Sequence, residues 1–458
     1  MQLTKIRSHY NEDWLSLALT SLCFVVFVLS GCASYGVIKN EPQNASVGAE
    51  SYSISSFVEE WNTGDIELAL AFSGGGTRAA AFSYGVLKQL RDTIVAIDGR
   101  SGRLLDEVDY ISSVSGGSFT AAYYGLYGDQ IFDDFEKVFL RQDVQGKLIQ
   151  GVLSPLQWFR KTGRTEMAID YYEKRVFQGA TFRDMKRKGS PLILINASDL
   201  GFGVRFSFVQ EYFDLLCSDL SSYPVARAVT ASSAVPVLFN PVVVENFKDC
   251  MESIPDWLVT AEKRSSNNPE LSQIVDDLQS YFKEEKRKYA HFVDGGITDN
   301  LGVRALYEII EIAGGAKEIH EWLNLKPPRR FAVISVNAST DSEPKMVVSN
   351  KHPSLTETIN AMTSIQIHRY NTATLELMKQ SITRWSKELS TPERPVTPYF
   401  IQIGFKDIQD PEAKRFFNQI PTSFSISDEQ VDRLIAAGGE LLRNNPDFQR
   451  FLSDLNAP

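Results

Sequence analysis

Ile66-Glu67-Leu68-Ala69-Leu70-Ala71-Phe72 runs straight into Ser73-Gly74-Gly75-Gly76-Thr77-Arg78, after which Phe82, Val86 and Leu90 recur at a spacing of four. Ile66, Leu68, Leu70 and Phe72 share one face of a strand, and the residues between them are mostly apolar too, as expected of a strand covered on both faces. The later spacing is the stripe of a helix. Outward from this unit the pattern repeats. Val108 to Val114 reads as a strand, Gly116-Gly117 as a turn and Ser118 to Tyr124 as the start of a helix. Pro191 to Ala197 is a third buried strand, Phe292-Val293 ends a fourth, and Phe331 to Asn337 is a fifth. Strands separated by helical stretches predict an α/β fold with a mostly parallel central sheet between two helical layers.

Two stretches break the rhythm. Residues 248–290 read as a charged insert in which Leu271, Ile274, Val275, Leu278 and Phe282 form an amphipathic helix, either a lid or surface packing. From residue 346 a mainly helical extension follows: a long helix from Leu355 to about Leu389, a strand at Tyr399–Ile403, and a last helix opened by a Ser427/Gln430 capping box. No linker separates an independent domain. The expected organisation is an N-terminal leader over 1–31, a polar tether over 32–64, a catalytic domain over 65–345 and the extension over 346–458.

The chain has 458 residues, 43% hydrophobic and 23% charged, a globular composition. Its formal net charge of -10 argues against a nucleic-acid partner and gives no general attraction to anionic lipid. No Cys/His spacing suggests a metal site. Trp14 to Leu29 is almost unbroken apolar sequence with Lys5 and Arg7 upstream, and it ends in Leu29-Ser30-Gly31-Cys32. That is the build of a secretory signal, and its ending resembles a bacterial lipobox. The resemblance implies lipidation of Cys32 and anchoring of the mature chain to a membrane of the bacterial envelope. Ala33 fits sorting to the outer membrane. The other reading is an uncleaved signal anchor, but the run falls short of the ~20 residues that span a bilayer comfortably. Cys217 and Cys250 remain after export, and two readings stand for them: a disulfide, or two buried thiols.

Three motifs carry the chemistry. Ser113-Val114-Ser115-Gly116-Gly117 sits at a strand-to-helix junction, where a sharp turn lifts a serine hydroxyl out of the sheet and requires small neighbours. It is G-x-S-x-G with Ser113 in place of the first glycine. The Gly74-Gly75-Gly76 loop exposes backbone N–H groups at a helix start, a nest for an anion. A dinucleotide reading needs glycine where Ala79 stands, and an acidic residue closing the next strand. That strand leads into Ser115 instead, so the anion expected here is the oxyanion of acyl transfer. In the third motif, His291-Phe292-Val293-Asp294-Gly295-Gly296, an apolar strand delivers an aspartate into a two-glycine turn, where contact with the serine hydroxyl would make it a base.

These motifs, in this order, resemble the patatin-like phospholipase family. A fourth match is Ala228-Val229-Thr230-Ala231-Ser232-Ser233-Ala234-Val235-Pro236 with Phe239 and Pro241 behind it, and the resemblance covers residue 65 to about 340. It implies a patatin-like fold and a lipid acyl hydrolase without cofactor or metal. It further implies Ser115 as nucleophile, Asp294 as base, Gly74, Gly75 and Gly76 as the oxyanion hole, and Arg78 bracing the loop. Ser113 and Ala79 depart from the pattern without removing a reacting group. Two alternatives remain: a triad esterase drawing on His320, His352 or His368, and a non-catalytic envelope lipoprotein that uses the fold to bind. Phospholipid, lysophospholipid, neutral lipid and short-chain ester all stay open as substrates, and the sequence does not give the oligomeric state.

Overall fold

The computed structural model describes residues 35–43, 51–57, 65–97, 99–144, 146, 163–236, 238–247, 250, 254–283, 286–341, 345–348 and 350–456. The expected leader over 1–31 and the candidate lipidation residue Cys32 lie outside these residues. Among the described residues no helix is long and apolar enough to cross a membrane.

The strands are β1 (Ile66–Phe72), β2 (Tyr110–Val114), β3 (Leu192–Asp199), β4 (Arg205–Ser207), β5 (Val242–Glu245), β6 (Tyr289–Asp294), β7 (Arg330–Asn337) and β8 (Thr397–Gly404). They form one sheet in the order β8-β7-β1-β2-β3-β6-β5, with β4 folded back on the end of β3. The first five in that order are parallel, and each of the remaining pairings is antiparallel. All seven side chains of β1 are buried, because helices cover both faces. The helices used below are α1 (Gly76–Asp92), α2 (Gly116–Tyr127), α3 (Val225–Ser232), α4 (Asp256–Ser265), α5 (Pro269–Lys283), α6 (Val303–Ala313), α7 (Ala316–Trp322), α8 (Leu355–Leu389) and α9 (Asp428–Asn444).

Three features differ from the sequence reading. First, β6 runs antiparallel to β3, pairing Asp294 with Ala197 and Phe292 with Asp199. The alternation of apolar residues sets the length of a strand but carries no direction. Second, the residues from 346 onward are not an appendage. β8 pairs along its whole length with β7, and α9 packs on α1 where Gly438 meets the Phe82 carbonyl and Gly85 meets the Ile435 carbonyl. The strand and the capped helix expected there complete the sheet and one of its layers. Third, the described part of the 32–64 segment is no free tether. Glu41–Pro42 pairs with Ser218–Asp219, and the Asn40 side chain bonds both backbone groups of Glu245 on edge strand β5. Tyr52, Ile54 and Phe57 are buried in the core, and the Tyr52 hydroxyl bonds the Ile193 backbone. Burying these apolar side chains outweighs the polarity of the segment's average composition.

The insert holds α4 and α5, and Leu271, Ile274, Val275 and Leu278 of α5 are buried against the body. Cys217 and Cys250 are joined as a disulfide that ties the start of the insert to the segment after β4.

Candidate active site

The parallel strands deliver two turns to one sheet edge. β2 ends at Val114, and Ser115 takes φ 50° and ψ -120°, a left-handed backbone unusual for a non-glycine residue. Surrounding contacts hold that strain in place. A Cβ on Gly116 would come within 1.9 Å of the Gly76 carbonyl oxygen, so only glycine lets the two turns touch. A Cβ on Gly117 would meet Phe72 at 2.8 Å. The Ser113 hydroxyl donates to the Leu194 carbonyl at 3.1 Å, which accounts for its position in the glycine slot: it is small and satisfied.

Behind the elbow lies a polar cluster whose role the sequence did not reveal. The Ser115 N–H donates to Ser232 Oγ at 2.9 Å, and Ser232 Oγ donates to the Asn196 carbonyl at 2.6 Å. The hydroxyls of Ser118 and Ser232 are 3.0 Å apart. Ser232 belongs to the quoted 228–236 segment, so its signal was present, but no local pattern says that α3 reaches under the elbow.

Asp294 arrives by an unexpected route. Val114 pairs with Asn196, while Asp294 pairs with the next residue of β3, Ala197. β3 extends past the level of the elbow, and β6 descends along that extension until its last residue stands beside Ser115. Ser115 Oγ donates to Asp294 Oδ2 at 2.8 Å, and the Gly296 N–H donates to Oδ1 at 2.8 Å. The Gly295 N–H donates to the Ser232 carbonyl, and a Cβ on Gly295 would meet the Asn196 carbonyl oxygen at 2.3 Å. Burial pushes the Asp294 carboxyl up to about 6 against the opposing pull of the Gly296 and Ser115 hydrogen bonds.

The three glycines of the loop differ in how their backbone amides are engaged. The Gly74 N–H donates to the Asn300 carbonyl at 2.9 Å, so that amide is already committed. Gly75 (φ 141°) and Gly76 (φ 61°) turn the chain into α1, and their amides have no partner among the described residues. Arg78 is buried beside them. Its Nε donates to the Ala338 carbonyl at 2.9 Å, Nη1 to the Ile420 carbonyl at 2.5 Å and Nη2 to Thr422 Oγ1 at 3.1 Å. The Thr77 N–H donates to the Ser423 carbonyl. The loop is therefore fastened to the end of β7 and to the strand of chain before α9. Burial lowers the Arg78 pKa to about 10.

A cavity of about 2090 Å³ opens over Ser115 and Asp294. Val235, Pro236, Leu238, Phe239 and Phe424 give it an apolar wall, and Glu270, Arg304 and Glu308 a charged one. The insert contributes through α5, and α8 contributes Ile365, Ile367 and Tyr370. Arg304 is paired with Glu270, and its guanidinium lies 4.7 Å from the Tyr370 ring centre. Among the described residues no cluster of His, Cys, Asp and Glu could hold a metal ion. His352 and His368 line the cavity and are exposed, while His320 on α7 is buried with Nε2 3.0 Å from Glu67 Oε2. Among the described residues no histidine bonds Ser115 or Asp294.

A serine on a strained strand-to-helix turn of a parallel sheet puts the protein among the α/β serine acyl hydrolases. The profile of the patatin-like phospholipase family matches residues 70–307, just over half of the chain, and the chain belongs to that family. No curated protein matches the sequence. Among solved structures, it is similar to human GIVD cytosolic phospholipase A2 at 11% identity and a TM-score of 0.36, covering 93% of this chain and 66% of that one. The same human protein in complex with methyl gamma-linolenyl fluorophosphonate gives 12% identity and a TM-score of 0.35, covering 89% and 61%. The chain thus spans about two thirds or less of the length of these relatives.

Proposed function

We propose that the protein hydrolyses fatty acyl esters of lipids through a Ser115–Asp294 dyad. The observation that carries this reading is the 2.8 Å hydrogen bond from Ser115 Oγ to Asp294 Oδ2 at the floor of a largely apolar cavity. Ser115 Oγ attacks the ester carbonyl while Asp294 takes its proton, and the alcohol leaves on regaining that proton. A water that Asp294 deprotonates then attacks the acyl-enzyme carbonyl, the fatty acid leaves, and Asp294 returns the proton to Ser115 Oγ. The Gly75 and Gly76 amides, with the N-terminus of α1 behind them, face the developing oxyanion. Gly74 acts indirectly, by fixing the loop to Asn300. Arg78 holds the loop from below, and Ser113, Gly116, Gly117, Gly295 and Gly296 shape the two turns. The experiment is labelling of the purified protein with a fluorophosphonate, followed by peptide mass spectrometry and assay against phospholipid, lysophospholipid, neutral lipid and short-chain esters. Label on Ser115 with loss of hydrolysis is expected; labelling elsewhere, with hydrolysis intact in Ser115→Ala, refutes the reading.

The Leu29-Ser30-Gly31-Cys32 ending supports a lipid on Cys32 and a place at the bacterial envelope, on the outer membrane, with the catalytic domain outside the cytoplasm. The Cys217–Cys250 disulfide fits an oxidising compartment. Intact-mass analysis of membrane-extracted protein tests this, and an unmodified Cys32 is the result that overturns it.

A further inference from the structure

Helix α8 has 35 residues and two very different halves. From Asn371 to Leu389 it buries Thr374, Met378, Ile382, Trp385 and Leu389 against the body. Over residues 355–370 none of the described side chains is buried. This half nevertheless carries apolar residues, and so does the short turn Lys345–Val348 ahead of it. Val348 is 82% exposed, Leu355 77% and Val347 65%. Met362 and Ile365 are exposed as well, and Ile365 also lines the cavity above Ser115. Large apolar side chains exposed together in one short segment mark an interaction site.

Two observations say what covers it. The first is charge. Residues 345–370 contain Lys345, Lys351 and Arg369 against Glu357, three positive charges less one negative, or +2, with His352 and His368 besides; the whole chain carries -10. Apolar side chains flanked by basic ones suit the interface of an anionic lipid bilayer. A second copy docking through the same face would bring like charges together. The second is continuity. Met346, Met362 and Ile365 are exposed and also belong to the wall of the cavity that holds the serine.

We propose that residues 345–370 form a bilayer-contact arm. Val347, Val348 and Leu355 insert among the acyl chains of an anionic phospholipid surface, the basic residues meet its headgroups, and the cavity side of α8 receives lipid directly from the membrane. Only this last step rests on the acyl-hydrolase reading.

The test has two parts. In the first, hydrogen exchange of the full-length Ser115→Ala protein is followed with and without vesicles of phosphatidylethanolamine and phosphatidylglycerol. Exchange over 345–370 is expected to slow at least tenfold with these vesicles, and less with pure phosphatidylcholine. Unchanged exchange overturns the arm. Protection that grows with protein concentration in the absence of lipid also overturns it, and assigns the face to a second copy. In the second part, the Val347→Asp/Val348→Asp/Leu355→Asp variant is assayed on the same vesicles and on a soluble short-chain ester. These three side chains are outside the cavity, so a loss of tenfold or more on vesicles is expected, with the soluble ester cleaved within twofold of wild type. Equal activity on vesicles, or equal loss on both substrates, sinks the proposal. Wild-type protein that cleaves neither substrate yet shows lipid protection rejects the hydrolase reading and leaves the arm standing.

Discussion

The two sides of the catalytic cleft are built on different principles. On one side, the glycine loop and the serine elbow leave adjacent parallel strands through left-handed backbone, with glycines in contact at distances no side chain could enter. On the other, Asp294 comes down an antiparallel strand into a turn whose Gly295 has ordinary helical angles, φ -63° and ψ -19°. The first side depends on backbone geometry. The second depends on taking a carboxylate out of water. Mutations should therefore fail differently on the two sides: altered geometry costs rate and fold together, whereas an altered carboxylate costs rate alone.

Asp294→Asn gives the largest effect expected. It keeps shape and removes the proposed base, so turnover should fall by about 10⁴-fold, the remainder coming from the oxyanion donors and binding. Stability should move the other way. An aspartate whose folded pKa is raised to about 6 contributes stability that is complete below its unfolded value and is lost as pH rises from there through 6. At pH 8 the ionised carboxylate is a cost, so the Asn variant should melt no lower than wild type there. A melting temperature several degrees lower would show that Asp294 is a structural ion and not a strained base.

Gly75→Ala probes the opposite side. The added methyl would crowd Arg78 Nη2 at 3.1 Å and Ala79 Cβ at 3.3 Å, with Arg78 held in place by three hydrogen bonds, and φ 141° is hostile to alanine. Re-aiming the amide should lower kcat by about 100-fold with KM nearly unchanged. An effect confined to KM would make the loop a substrate-binding feature. Between these two lies the pH profile. Since Asp294, as the proposed base, would have to be ionised to act, kcat/KM should rise with pH through an acidic limb near 6. A limb near the ordinary carboxylate value of ~4 would mean that the site is wetter than its geometry indicates.

The same contrast explains what could be read in the sequence. The glycine loop and the elbow are local: strand, glycines and helix follow one another within 66–90 and 108–124, so residue order nearly dictates geometry. The long helix ending at Leu389 and the Ser427 cap were legible for the same reason. Illegible features all depended on distant partners. The direction of β6 is set by the protruding end of β3, the commitment of the Gly74 amide by Asn300, and the grip on Arg78 by Ile420 and Thr422, more than 340 residues away. The 32–64 segment read as a tether because its composition is polar, yet its described residues dock through Asn40, Glu41–Pro42, Tyr52 and Phe57, whose partners lie far along the chain.

His320 supplies the smallest expected effect on catalysis and a separate one on stability. It lies in α7 with Nε2 on Glu67 and Nδ1 2.7 Å from the Ala316 carbonyl, and Glu67 is the second residue of the strand whose other end leads into the glycine loop. The five strand residues Leu68 to Phe72 therefore separate Glu67 from the turn into the glycine loop. Burial pulls its pKa down, but the charge and hydrogen bond of Glu67 outweigh that, and the net shift is upward. A histidine with a raised folded pKa contributes stability that is complete below its unfolded value near 6.5 and is lost as pH rises through the folded one. His320→Gln should thus cost stability at pH 6, on the order of 1–3 kcal/mol for a buried charge-assisted pair, and progressively less toward alkaline pH. Turnover at pH 8 should stay within ~10-fold of wild type, since no proton passes through this residue. A normally folded His320→Gln protein as inactive as Asp294→Asn would replace the dyad with a relay reaching across the sheet.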